Sequence, residues 1–145
     1  MMSSTGSAGA ARRGPFEELS RDECLRLFQT KTVGRVAFSA PSGPQIFPVN
    51  YAISNETVVF RTAAYSSLAA NLSNTRAAFE VDDIDDYQHA GWSVLAVGLA
   101  ALVDDPDELV DLWRDDAPEP WAAGLRTLFV RITPDQITGR RVHPG

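Results

Sequence analysis

The run Gly91–Val103, GWSVLAVGLAALV, constrains this chain more than any other stretch. It is the longest apolar run, and it carries no helical stripe. Alternate residues are apolar on both sides, so the pattern predicts a long strand through the core of a barrel. Gly98 and the small alanines suit a strongly curved strand or a close neighbour. Trp92 and Ser93 open the strand, and Trp92 reads either as core or as the flank of a flat ligand.

Other strands are expected around it. Val33–Ser39 is one, ended by the turn cluster Ala40-Pro41-Ser42-Gly43-Pro44. Gln45–Ile53 follows, with Pro48 marking an edge, a bulge or a bend, because proline cannot donate to a ladder. Ser54-Asn55-Glu56 reads as a tight turn, and Thr57–Thr62 returns. Arg76–Val81 and Leu125–Thr133 complete six strands. Pro134–Arg141 is expected as a turn carrying two arginines, solvated or reaching a ligand or a second subunit.

Helices are expected outside the strands. Ser20-Arg21-Asp22-Glu23 is a capping box. Cys24, Leu25, Leu27 and Phe28 then form an apolar stripe. Asp105-Pro106-Asp107-Glu108 starts a second helix, with Leu109, Val110, Leu112 and Trp113 on its apolar side. Short turns between most strands favour a closed antiparallel barrel over a parallel sheet.

A chain of 145 residues fits one domain with one core. Residues 1–15 are expected as a mobile tail, and 16–145 as that domain. Net charge is −6 and no Lys or Arg run occurs, which argues against nucleic acid and a polybasic membrane anchor. No run reaches the length of a membrane span. Arg12-Arg13 is followed by Gly14-Pro15-Phe16-Glu17-Glu18 rather than by an apolar export core, so the cytoplasm is expected. The single cysteine, Cys24, excludes an intrachain disulfide framework. No metal site is expected. His89 and His143 are far apart in sequence, and the acidic run Asp82-Asp83-Ile84-Asp85-Asp86 reads as a solvated loop.

The stretch from Val58 to Leu72 is the best candidate for function. It passes from an apolar strand to a short helix capped by Ser66. Arg61, Thr62, Ser66 and Ser67 lie between. A helix start offers free N–H groups, and arginine adds a planar fork, so an anion such as phosphate would fit. Taken alone, the stretch is better described as a solvated arginine and an ordinary capping serine. Val49-Asn50-Tyr51 sets polar beside apolar side chains, as a pocket wall or a bulged strand would.

The order and spacing of several segments together resemble a family. They are Val33–Phe38, Phe47–Tyr51, Val59–Thr62, Phe79–Asp82, Gly91–Val94 with Gly98, and Ile137–Arg141. From about Leu19 to Arg141 the chain resembles the pyridoxamine 5′-phosphate oxidase-like flavin-binding split barrels. That resemblance implies a mainly β fold with peripheral helices, a six-stranded antiparallel split β-barrel. It implies a homodimer with FMN in a cleft between two barrels. Arg61, Thr62, Ser66 and Ser67 would then hold the FMN phosphate. Pro48, Val49, Asn50 and Tyr51 would line the ring and ribityl chain, and Trp92 and Ser93 would meet the cofactor across the cleft.

One departure matters. Relatives usually carry Gly-Thr-Lys or Ser-Lys where this chain has Tyr65-Ser66-Ser67. A missing charge-assisted contact costs roughly 1.5–3 kcal/mol. FMN is therefore held weakly, replaced by a deazaflavin, or absent. The expected function is a flavin-dependent oxidoreductase acting on a small-molecule substrate or electron donor, with no catalytic side chain assigned. The alternative is a dimer that binds or senses a flavin, deazaflavin or haem without turnover.

Overall fold

The computed structural model describes residues 16–63, 67–105, 107–108 and 127–144. The tail expected over 1–15, the helix expected beyond Glu108, and Ser66 all lie outside these residues. Among the described residues the elements are β1 (Phe16–Glu18), α1 (Arg21–Phe28), β2 (Val33–Ala40), β3 (Gly43–Ser54) and β4 (Thr57–Ala63). They continue with α2 (Ser67–Asn71), β5 (Thr75–Asp85), β6 (Ala90–Leu102) and β7 (Thr127–Val142). No helix among them is long and apolar enough to cross a membrane.

The strands run β7-β4-β3-β2-β5-β6, all antiparallel, and β6 pairs back onto β7. These six closed strands are the six expected from sequence. The seventh, β1, was not expected. It adds to the free edge of β7, pairing Phe16 with Val142. Alternation sorts each strand into two faces. Val36, Phe38, Val49, Tyr51, Phe60, Phe79, Val81, Val94 and Ala96 point into one core.

Helix α1 closes one end of the barrel. The Ser20 hydroxyl accepts from the Glu23 N–H at 3.2 Å, as the capping box requires. Cys24, Leu27 and Phe28 are buried. The helix ends against the barrel, where the Tyr51 hydroxyl donates to the Phe28 carbonyl. That bond satisfies a carbonyl the helix itself leaves unpaired.

Two local expectations change and one holds. Pro134–Arg141 is not a turn, because β7 runs through it to Val142. Between Val97↔Gln136 and Gly98↔Pro134 the register shifts, leaving Asp135 as the extra residue of a bulge. A bulge tolerates proline's missing N–H. The acidic run Asp82–Asp85 is the end of β5 rather than a loop. At Pro48 the edge reading holds: it pairs with Arg35 on β2, whereas the paired β3–β4 register begins only at Tyr51.

Candidate functional site

The alternation that builds the core also decides which candidate residues share an outer face. Ala52 pairs with Val59, so Asn50 and Arg61, each two residues further along, project to the same side. That side is outward, and Pro48 shares it. Arg61 pairs with Phe129, and its guanidinium carbon sits 5.5 Å from the centre of the Phe129 ring. The Asn50 Oδ1 atom is buried and has no hydrogen-bond partner among the described residues. An orphaned amide oxygen beside an arginine suits a ligand that offers both a donor and negative charge.

The neighbours on the opposite parity point inward. Val49 and Tyr51 belong to the core, and burial pushes the Tyr51 phenol well above its ordinary range. Only their backbone is left to line an outer surface. Thr62 is buried on the inner side, out of step with Arg61. Of Ser67 only the backbone, in α2, is described.

Trp92 and Ser93 lie elsewhere. Arg61, Asn50 and Ser93 are outward positions on β4, β3 and β6, with β2 and β5 intervening. Four interstrand spacings, about 19 Å around the curved barrel, separate Arg61 from Ser93. Trp92 packs against the core, and with Ser93 it lines a cleft of about 550 Å³. Asp85, His89, Arg140 and Val142 line it too. The two arginines of the last segment have different tasks. Arg140 faces this cleft with its guanidinium 5.5 Å from the Phe16 ring centre, whereas Arg141 reaches Glu23 at 3.4 Å. One barrel therefore does not bring the two halves of the candidate site together.

Between those halves the outer surface carries two features that local sequence patterns did not reveal. The first is an apolar row. Ile46, Ala37, Ala78 and Val97 are consecutive register partners across β3, β2, β5 and β6. Leu95 and Leu99 flank Val97, and Ile46, Leu95 and Leu99 are 65%, 37% and 47% exposed. A barrel with its core inside has no folding use for an apolar outer row. The second feature is charged. Arg35 Nη1 lies 3.1 Å from Glu80 Oε1 and 3.3 Å from Asp82 Oδ2. Partial burial, then the adjoining Asp82 carboxyl, push Glu80 up to about 7, with Arg35 pulling the other way. Among the described residues no group of three or more His, Cys, Asp or Glu is placed to hold a metal ion.

Known proteins resemble this chain over most of its length. Residues 20–141 match the family described as pyridoxamine 5′-phosphate oxidase. An uncharacterised Mycobacterium tuberculosis protein is 33% identical over 146 residues, covering 96% of this chain and 95% of that one. The structure of the FAD binding protein from Mycobacterium smegmatis superposes with a TM-score of 0.78 at 38% identity, covering 89% and 100%. A conserved protein of unknown function from Corynebacterium diphtheriae gives 0.72 at 32%, covering 88% and 98%. The family match and the length of these alignments place the chain in the pyridoxamine 5′-phosphate oxidase-like split-barrel family.

Proposed function

We propose that this protein binds a flavin in a cleft completed by a second copy of itself, and acts as a flavin-dependent oxidoreductase on a small molecule. The observation that carries this reading is the buried, unpartnered Asn50 Oδ1 beside Arg61 on the outward face. A flavin offers a ring N–H and ribityl hydroxyls to such an oxygen, and a phosphate to arginine. Bound flavin supplies the redox chemistry; the chain supplies position and electrostatics. Arg61 holds negative charge, Asn50 orients the ring or ribityl chain, and Pro48 covers the surface next to them. FMN is the first choice. FAD is the second, favoured by the relative named as an FAD binding protein.

The second copy is proposed for two reasons. The candidate residues fall into two sets that one barrel holds apart. The row Ile46–Ala37–Ala78–Val97, with Leu95 and Leu99, is apolar at its centre and rimmed by Arg35, Glu80 and the Arg76–Asp135 ion pair. Apolar centres with charged rims are how protein interfaces are built. A Val97→Asp variant is expected to sediment as a monomer where the unaltered chain sediments as a dimer.

Titration with FMN, FAD and a deazaflavin, followed by flavin fluorescence, tests the reading. Saturable quenching is expected, with Arg61→Ala weakening it roughly ten- to a hundredfold, as loss of a charge-assisted contact predicts. A chain that leaves the fluorescence of all three unchanged overturns it. Bound flavin that no nicotinamide or deazaflavin donor reduces would favour binding without turnover.

A further inference from the structure

In the reading above Arg35 and Glu80 only border the apolar row, and Asp82 has no task. One guanidinium nitrogen serves two carboxylates, at 3.1 and 3.3 Å, so the group carries one negative charge too many. Its place in the register is specific. Glu80 lies between Arg35 on β2 and Leu95 on β6, and the next outward row is Ile46–Ala37–Ala78–Val97. Anything that covers Leu95 also covers Glu80. The two carboxyl side chains are already only 32% and 26% exposed.

We propose that association of two copies over this face is proton-linked, the Glu80–Asp82 pair taking up one proton per subunit as the partner barrel closes on it. This rests on the dimer proposed above. Burying an uncompensated carboxylate is costly, whereas a carboxylic acid can donate to the neighbouring carboxylate and leave the group neutral. Among the described residues, other charges near the pair do not remove the surplus. On β2 the facing group is Arg35, already counted. Lys31, just before β2, is engaged with Asp83 at 2.9 Å. From β6 the facing residues are Ser93 and Leu95, which do not titrate, and Pro48 lies beyond Arg35 on β3. Arg140 stands one strand further, across from Ser93 on β7.

The sign follows from the direction of proton movement. In one barrel Glu80 already titrates near 7, and further loss of water on docking raises it again. The dimer therefore holds more protons than two monomers. Its affinity is full below about pH 7 and falls as pH rises above that. The limiting slope is roughly tenfold in dissociation constant per pH unit for each proton bound.

Sedimentation equilibrium of the full chain from pH 6 to pH 8.5 tests this, with Glu80→Gln and Asp82→Asn as variants. Glutamine keeps the shape and the donor without the charge, and Asp82→Asn removes the surplus charge from the other side. The expected result is a dissociation constant that rises at least about tenfold across the range in the unaltered chain and stays flat in both variants. A dimer whose affinity ignores pH overturns the proton linkage and leaves the dimer standing. An equal slope in both variants overturns the assignment to this pair. A monomer at every pH and concentration overturns the dimer itself.

Discussion

Gly98→Ala is expected to be the most damaging of the glycine-to-alanine changes among the described residues. A β-carbon there would sit 2.0 Å from the Thr133 carbonyl oxygen and 2.6 Å from the Pro134 α-carbon. Both are backbone atoms of the adjoining strand, at the point where the register shifts. No side chain can swing aside to relieve the contact. Overpacking costs typically 1–3 kcal/mol and more where the surroundings cannot yield, so about 3 kcal/mol or more is expected. That is a large share of the roughly 5–15 kcal/mol that holds a domain together. Urea unfolding should show the midpoint lowered by about 1–2 M, or no soluble folded protein. An unchanged midpoint would mean that β6 and β7 do not pass each other as described.

Phe79→Ala comes next. The ring is fully buried, edge-on to Tyr51 at 4.8 Å and stacked near Phe28 at 6.2 Å. Losing it should cost about 3–5 kcal/mol through lost transfer energy and the cavity left behind. The same ring lies over Gly34, where a β-carbon would fall 2.3 Å from the Phe79 Cζ atom. The two positions are therefore two parts of one packing solution. Gly34→Ala alone should destabilise, and the Gly34→Ala, Phe79→Ala double variant should cost less than the sum of the separate changes. A coupling of about 0.5–3 kcal/mol is expected from the four unfolding curves of this cycle. Strict additivity would show that the ring does not press on that glycine.

How much of this was legible in the chain depends on whether the signal was local. The apolar run Gly91–Val103 is β6, and small residues on it do mark a close neighbour. The Ser20 cap with its stripe is α1, a local pattern fully stated in the sequence. Pro134 misled, because a proline followed by an acid reads as a turn unless the bulge opposite Gly98 is known. That bulge belongs to a pair of strands and not to either one. Three residues of β1 carry no pattern at all; they are a strand only because β7 offers them an edge. At the site, strict alternation along Pro48–Tyr51 already implied that only Pro48 and Asn50 could share an outer face, with Val49 and Tyr51 turned inward. The Arg35–Glu80–Asp82 group was invisible for a different reason. Its members come from β2 and β5, 45 and 47 residues apart, and only the register brings them together.

The role of β7 in the ring has a consequence for synthesis. This last strand joins β4 to β6, so the circle stays open until residues near Val142 leave the ribosome. Until then the growing chain exposes two unpaired sheet edges, the kind of surface on which nascent polypeptides stick to one another. Folding of this barrel is in that sense completed by one closing event, the docking of β7 between β4 and β6.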